Sequence, residues 1–259
     1  MDIVNLSYNK IFLIIIIFIF ILFFFIKKKS ISETFFNFEN IPKIYGESIE
    51  NIEDVNEVGI PKIIHHICPK DFNRWNMKWF VCYESWLRLF PSPEYLHMNW
   101  YDDELVEVVK EEQFSWFLEI FEGYSENIKR IDMVRPFILW KYGGIYADMD
   151  YLVFKNFYDE LDQTKVTLLD SPFKNNEDVT NALMASPKGN NFWLLVLDEC
   201  YKHRDTYVLL STGPQLITRI YHRYPELVSV LPHDKFNPFN WIPTNDEMRG
   251  RHYNTFQWQ

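Results

Sequence analysis

Residues Lys129 to Asp150 read KRIDMVRPFILWKYGGIYADMD and place two carboxylates just after a Gly-Gly break. Ser125 is a candidate N-cap for a helix that the glycines Gly143-Gly144 end. After the glycines, Ile145-Tyr146-Ala147 has the pattern of a strand, and it delivers the acidic residues at its end.

Asp148 and Asp150 are the first candidates for metal ligands. In an extended segment, residues i and i+2 point to the same side, so an Asp-x-Asp pair can direct two oxygen ligands at one divalent cation. Such a cation would in turn hold phosphates. The alternative is a solvated pair in a loop, because Asp-x-Asp arises often by chance.

Two further residues precede the glycines. Asp132 and Arg135 lie three positions apart, hence on one face of the predicted helix. A carboxylate that accepts from sugar hydroxyls, a guanidinium suited to phosphate and a nearby metal site together suggest a sugar nucleotide. The alternative for this pair is an ordinary ion pair within the helix.

Strand-like and helix-like segments alternate along the rest of the chain. Ile60 to Ile67 predicts a buried strand, Trp75 to Leu89 a helix, Tyr95 to Trp100 a second strand, and the residues after Asp102-Asp103 an acidic helix. This alternation predicts an α/β fold with a mainly parallel sheet flanked by helices. Ligands of such folds bind at the carboxyl ends of the strands, where the two aspartates are expected.

Composition sets the class of protein. The chain has 259 residues, 47% of them hydrophobic, so it can bury a sizeable core. Its formal net charge of −10 argues against a nucleic-acid partner. Three scattered cysteines indicate neither a disulfide framework nor a zinc site.

The N-terminal part predicts a single-pass membrane protein. After a short tail at residues 1–10, residues 11–26 are unbrokenly apolar, slightly short of the about 20 residues usual for a spanning helix. Residues 27–59 are expected to be a stem, and residues 60–259 the catalytic domain. A cleaved signal peptide and a buried core helix are the alternatives to this anchor. The lysines at 27–29 favour a cytoplasmic catalytic domain.

Five ordered motifs resemble those of glycosyltransferase family 32: IPKIIHHI (60–67), IDMVRPFILWKYGGIYADMD (131–150), NALMASP (181–187), STGPQLI (211–217) and HYNTFQW (252–258). The spacing from Asp132 to the acidic pair also resembles the glucosyltransferase domain of the large clostridial toxins. The resemblance implies a GT-A fold, a nucleotide-sugar donor, Mn²⁺ or Mg²⁺, and transfer with retention of configuration. It further implies a Golgi- or ER-type membrane with a lumenal catalytic domain, opposite to the side that the lysines favour.

The resemblance also implies roles for individual residues. Asp148, Asp150 and His252 would hold the metal and the diphosphate, with Asp150 most directly involved. Asp132 and Arg135 would contact the donor and take part in catalysis. The remaining donor-binding candidates are Ile63, Ile64, His65, Tyr146 and Asn181.

Two positions depart from the family pattern. Pro136 follows the arginine where an aromatic residue is common, and within a helix it removes one backbone donor. Cys68 stands where an aromatic residue is frequent near the nucleoside. Asp170 is a weaker candidate for positioning a substrate, and Trp241 and Trp258 are candidates for stacking on a sugar or base.

The predicted function is a membrane-anchored, metal-dependent transfer of a hexose to a glycan, glycolipid or glycoprotein acceptor. GDP-mannose is the first choice of donor, followed by UDP-hexoses. The alternatives are an inactive carbohydrate-binding protein of the same fold and a metal-dependent phosphohydrolase.

Overall fold

A computed structural model describes residues 59–101, 104–110, 115–173, 178–238 and 247–255. The predicted tail and anchor, all but the last residue of the stem, and Trp241 and Trp258 lie outside these ranges. Within them, no helix is both long and apolar enough to cross a membrane.

The domain is built on a six-stranded mixed sheet in the order β2-β1-β3-β6-β5-β7. Its strands are β1 (Ile63–Cys68), β2 (Leu96–Tyr101), β3 (Gly144–Ala147), β5 (Val166–Asp170), β6 (Val179–Ser186) and β7 (Val228–Leu231). The neighbours β1 and β2, β1 and β3, and β5 and β7 run parallel. Since β6 runs antiparallel to β3 and β5, the sheet is mostly parallel, as predicted.

A second, two-stranded antiparallel sheet joins β4 (Tyr151–Val153) to β8 (Gly250–His252). The described α-helices are α1 (Met77–Leu89), α2 (Val106–Val109), α3 (Ser115–Gly123), α4 (Asn127–Tyr142), α5 (Phe192–Lys202), α6 (Val208–Ser211), α7 (Pro214–Arg223) and α8 (His233–Phe236).

Helices cover both faces of the sheet because apolar side chains alternate along its strands. Ile63 and Ile67 pack into a core cluster that contains Phe137 of α4. Ile64, between them, packs into a second cluster with Trp86 of α1. Successive strand residues point to opposite faces, so one short strand supplies both cores.

The strands and helices predicted around the site are confirmed to within a few residues, but the Ser125 cap is wrong. Helix α4 begins at Asn127 after Glu126, which makes no side-chain cap hydrogen bond. Its end at Gly143 is as predicted, and α4 continues through Pro136.

The two glycines allow β3 to start immediately after α4. Both have positive φ, +65° at Gly143 and +93° at Gly144. A Cβ on Gly144 would lie 2.5 Å from the Ile63 carbonyl oxygen, and one on Gly143 2.7 Å from the Lys188 nitrogen. The sharp reversal therefore requires glycine at both positions. Because α4 and β3 run in opposite directions on either side of it, Arg135 of α4 reaches Asp148 at the carboxyl end of β3.

Candidate functional site

The acidic pair lies at the carboxyl end of β3, where the sequence predicts it. The backbone turns at once, because the Tyr151 amide donates to the Asp148 carbonyl oxygen at 3.0 Å. The extended geometry that the sequence argument assumed for the pair is therefore wrong. Both carboxylates are nevertheless buried and face one ring, that of His252.

Arg135 is the centre of a buried charge network. Its Nη1 lies 2.9 Å from Asp132 Oδ1, and its Nη2 lies 2.9 Å from Asp148 Oδ1. Nη1 also donates to the Asn181 carbonyl oxygen at 3.3 Å, and the guanidinium lies over the ring of Tyr146. The ion pair within α4, which was the alternative interpretation of Asp132 and Arg135, is thus present, and the same arginine also contacts Asp148 of the acidic pair.

The two carboxylate oxygens of Asp148 have different surroundings: Oδ1 is held by hydrogen bonds within the protein, and Oδ2 faces His252. Oδ1 accepts a hydrogen bond from the Tyr146 hydroxyl at 2.7 Å, in addition to the Arg135 contact. Oδ2 lies 3.7 Å from His252 Nε2, beyond hydrogen-bond distance. Burial raises the pKa of Asp148, and the charge of Arg135 opposes that rise.

Asp150 is held in its ionised form. Its Oδ1 lies 2.9 Å from His252 Nε2, while its Oδ2 accepts from the amide and hydroxyl of Thr255 at 2.7 and 2.8 Å. Burial would raise the pKa of Asp150, but these hydrogen bonds lower it to about 2. For His252 the signs are reversed: burial acts to lower its pKa, but the neighbouring carboxylates of Asp150 and Asp148 raise it.

Strand pairing brings His252 to the acidic pair. His252 is the register partner of Tyr151 across β4 and β8, and its amide donates to Asn237 Oδ1 at 3.1 Å. One ligand atom from each of Asp148, Asp150 and His252 lies within 4.8 Å of the others. The two carboxylates suit Mn²⁺ or Mg²⁺, and the imidazole nitrogen can serve as a further ligand for a divalent cation, so these residues fit the predicted metal.

Asp132 connects this cluster to two other segments. Its Oδ1 accepts from Asn181 Nδ2 at 3.2 Å, and its Oδ2 accepts from Thr212 Oγ1 at 3.4 Å. Burial raises the pKa of Asp132 to about 6, although Arg135 acts in the opposite direction. Asn181 of β6 and Thr212, the residue that follows α6, are therefore brought to the predicted site residues.

The predicted nucleoside-lining residues lie inside the sheet. Ile63 belongs to one core cluster, and Ile64 to the other. His65 is fully buried, with its Nε2 2.8 Å from the Gly143 carbonyl oxygen and its Nδ1 accepting from Trp100 Nε1 at 3.1 Å. Their role toward the donor stays a prediction.

Other candidates lie apart from the cluster. Asp170 at the end of β5 pairs with His233 and lines a separate cavity of about 300 Å³. Cys68 is buried at the end of β1. Pro136 does not displace Arg135 from its two carboxylates.

Sequence reasoning missed Thr255 and Asn237. Thr255 fixes one oxygen of Asp150, and Asn237 orients the backbone of His252. Thr255 lies within the motif HYNTFQW, so its place three residues after His252 was the available signal. No sequence pattern marks Asn237.

Comparison with known proteins identifies the segment that carries this site. A family model described as "Glycosyltransferase sugar-binding region containing DXD motif" matches residues 76–167. Inositol phosphoceramide mannosyltransferase 3 of Schizosaccharomyces pombe is 32% identical over 174 residues, 65% of this chain and 46% of that protein. The Saccharomyces cerevisiae mannosyl phosphorylinositol ceramide synthase SUR1 is 32% identical over 174 residues, 64% of this chain and 42% of that protein.

This chain spans less than half the length of either relative. Among solved structures, the PaToxG glycosyltransferase superposes with a TM-score of 0.50 at 20% identity, over 65% of this chain and 70% of the other. That likeness concerns the fold. Residues 76–167, which match the model of the family with the DXD-containing glycosyltransferase sugar-binding region, contain the Asp148/Asp150 pair.

Proposed function

We propose that this protein is a metal-dependent, retaining glycosyltransferase of the GT-A fold that moves a hexose from a nucleotide sugar to a glycolipid. The observation that carries the proposal is the convergence of Asp148, Asp150 and His252 beside the Asp132/Arg135 pair. The family match over residues 76–167, which contain Asp132, Arg135 and the acidic pair but not His252, supports it.

Each residue of the cluster has a distinct task in this proposal. Asp148, Asp150 and His252 would hold a divalent cation, which when bound supplies positive charge against the donor diphosphate. Thr255 keeps Asp150 oriented and ionised. Tyr146 and Arg135 fix Asp148 Oδ1, so that Oδ2 is the oxygen available as a ligand.

In this proposal, Asp132 contacts the donor sugar. It is held by Asn181, Thr212 and Arg135, so its carboxylate is oriented before any substrate arrives. Such preorganised polar groups contribute to catalysis because they need no reorganisation during the reaction. Arg135 is already paired with two carboxylates, and it acts chiefly by positioning them.

The reaction exchanges one bond at the anomeric carbon. The bond from that carbon to the diphosphate oxygen breaks, and a bond to an acceptor hydroxyl oxygen forms on the same face. The departing diphosphate takes the hydroxyl proton, so no protein nucleophile is needed. Stabilisation of the leaving group is then the main catalytic task.

Mannose from GDP-mannose is the proposed donor sugar, and inositol phosphoceramide the proposed acceptor. The sugar and the acceptor follow from the names of the two fungal relatives, a mannosyltransferase and a synthase of mannosylated inositol phosphoceramide. The choice of GDP as the nucleotide follows from the resemblance to glycosyltransferase family 32. UDP-hexoses remain the competing donors to be tested.

A membrane-embedded acceptor also agrees with the apolar segment at residues 11–26, which we propose as a membrane anchor. Full-length protein should stay with membranes during alkaline carbonate extraction, whereas a chain that begins at residue 54 should be released. Release of the full chain would contradict the anchor.

The donor is best identified by thermal-shift measurements with GDP-mannose, UDP-glucose, UDP-galactose and UDP-N-acetylglucosamine, each with and without Mn²⁺. A ligand that binds the folded state raises the Tm by mass action. We expect GDP-mannose to raise it only when Mn²⁺ is present, and radiolabelled mannose then to appear in inositol phosphoceramide.

Two other results would contradict the proposal in different ways. Metal-dependent donor binding without nucleotide release or transfer would indicate an inactive sugar-binding protein. Release of phosphate from simple phosphomonoesters without sugar transfer would indicate a phosphohydrolase.

A further inference from the structure

A cavity of about 550 Å³ is lined by none of the residues of the candidate site. Residues from three segments line it: the end of α3, the start of α4, and the end of α5 with the loop that follows. The charged and tyrosine side chains of the lining are Glu119, Tyr124, Lys129, Tyr201, Arg204 and Asp205. Its volume is in the range of small-molecule sites.

Two segments carry residues of both the cavity and the candidate site, namely α4 and the chain that follows α5. Lys129 and Asp132 lie three residues apart on α4, so they share one face of the helix, separated by a rise of about 4.5 Å. Lys129 Nζ donates to the Thr206 carbonyl oxygen at 2.8 Å, and six residues later Thr212 reaches Asp132. A ligand in the cavity would therefore lie beside the place proposed for the donor sugar.

Tyr124 supplies an unsatisfied polar group in the wall of this cavity. Its side chain is 5% exposed, and among the described residues its buried hydroxyl has no hydrogen-bond partner. A buried polar group without a partner is costly and calls for an explanation, such as a ligand that satisfies it.

The cationic side chains of the cavity are held in place by the protein. Lys129 Nζ lies 2.9 Å from Glu126 Oε2 and donates to Thr206, so two of its three N–H donors are engaged among the described residues. Arg204 Nη1 donates to the Tyr201 carbonyl oxygen at 2.8 Å, with its guanidinium over the Tyr201 ring. Both cations retain donors for an anionic ligand.

We infer that this cavity binds the phosphorylated polyol head group of the acceptor. Lys129 and Arg204 suit a phosphate diester, while Glu119 and Asp205 suit hydroxyl donors of a polyol. The ring of the exposed Tyr201 offers a surface for the carbon face of such a ring. This inference rests on the proposed function, since it names the acceptor subsite of the same reaction.

The test is Tyr124→Phe in the full chain, with inositol phosphoceramide in detergent micelles as acceptor. The variant removes one hydroxyl, and we expect the KM for this acceptor to rise about tenfold, the usual effect of losing one hydrogen bond to a charged or polar ligand. The KM for the donor and the rate of donor hydrolysis without acceptor should not change. Tm should stay the same or rise, since the hydroxyl has no partner in the protein.

Arg204→Gln is the second variant, chosen because Arg204 is at the surface of the cavity. It should raise the acceptor KM as well, and it should weaken binding of free inositol 1-phosphate in calorimetry. Tyr221→Phe is the matched control, because Tyr221 lines the separate 300 Å³ cavity. It should leave the acceptor KM unchanged.

The outcomes separate this inference from the function on which it rests. If the wild-type chain hydrolyses the donor and transfers sugar, but both cavity variants keep the wild-type acceptor KM, the subsite assignment is wrong. A fall in the Tm of Tyr124→Phe with an unchanged acceptor KM would show a structural role and would also overturn it. If the wild-type chain neither hydrolyses nor transfers, the proposed function itself fails.

Discussion

At the scale of single residues, the two aspartates of the acidic pair are held in different ways. Asp148 is fixed by groups from its own part of the chain, Tyr146 and Arg135. Asp150 is fixed from the far end by His252 and Thr255. The two carboxylates therefore have separate hydrogen-bond partners, and the role of each can be tested by its own substitution.

Replacing Asp150 with Asn should nearly abolish metal-dependent transfer, with kcat lowered by at least about 100-fold. The amide keeps the shape of the side chain and can still accept from Thr255, so the fold should persist. Asp159→Asn, at an exposed position, is the matched control and should keep full activity. Wild-type turnover in Asp150→Asn, measured with Mn²⁺ and donor at saturation, would rule out the assigned role.

Tyr146→Phe tests the fixation of Asp148. The change removes the 2.7 Å hydrogen bond to Oδ1 but leaves the Arg135 contact. Hydrogen bonds to charged groups are worth about 1.5–3 kcal/mol, so we expect the Mn²⁺ concentration for half-maximal activity to rise at least about tenfold. An unchanged Mn²⁺ titration would show that Arg135 alone orients Asp148.

At the scale of elements, the reversal between α4 and β3 holds the site together. Gly144→Ala should lower the free energy of unfolding by at least about 2 kcal/mol, because it adds a Cβ at φ +93° and 2.5 Å from the Ile63 carbonyl oxygen. Urea denaturation followed by tryptophan fluorescence measures the loss.

Gly123→Ala provides the contrast for that measurement. A Cβ at Gly123 meets nothing within 4 Å, and the residue lies in α3. Alanine favours helix over glycine by about 1 kcal/mol, so this variant should match or exceed the wild type. Equal losses in the two variants would contradict the steric account of Gly144.

At the scale of the whole molecule, buried histidines make stability depend on pH. Trp100 donates to His65 Nδ1, so Nε2 carries the proton and donates to the Gly143 carbonyl oxygen. Burial lowers the pKa of His65 to about 4, with the Gly143 hydrogen bond opposing it. Burial also lowers the pKa of His66, to about 3.

Since an unfolded histidine titrates near 6.5, the unfolded chain binds more protons between pH 6.5 and about 4. The contribution of His65 to stability should therefore fall as the pH drops through this window, by about 3 kcal/mol at most. The raised pKa of Asp132 acts in the opposite direction in the same window, so the histidine effect is isolated by comparing the wild type with a His65 variant. Urea midpoints at pH 7 and pH 4.5 measure the fall. His65→Asn should reduce the difference between the two midpoints, and an equal difference would contradict the assignment.

Much of the architecture could be predicted from local patterns. Alternating apolar residues and the glycine pair predicted β1, α4 and β3 because each reports on backbone geometry within a few residues. The turn at Asp148 and the N-cap of α4 could not be predicted in this way. The former depends on the hydrogen bond from the Tyr151 amide to the Asp148 carbonyl oxygen. The latter is a helix start after Glu126, an exposed residue that forms no side-chain cap and so carries no capping signal.

The sequence by itself determined which chemical groups the site contains, because Asp132, Arg135, Tyr146 and the acidic pair lie within one short stretch. Only the tertiary structure decided how they are used. Pairing of β4 with β8 brings His252 to Asp150 across a separation of 102 residues, and Thr212 reaches Asp132 across 80. Contacts between residues so far apart in the sequence depend on the packing of whole elements, which no local pattern encodes. The burial that results from this packing then shifts the pKa of each ionisable group.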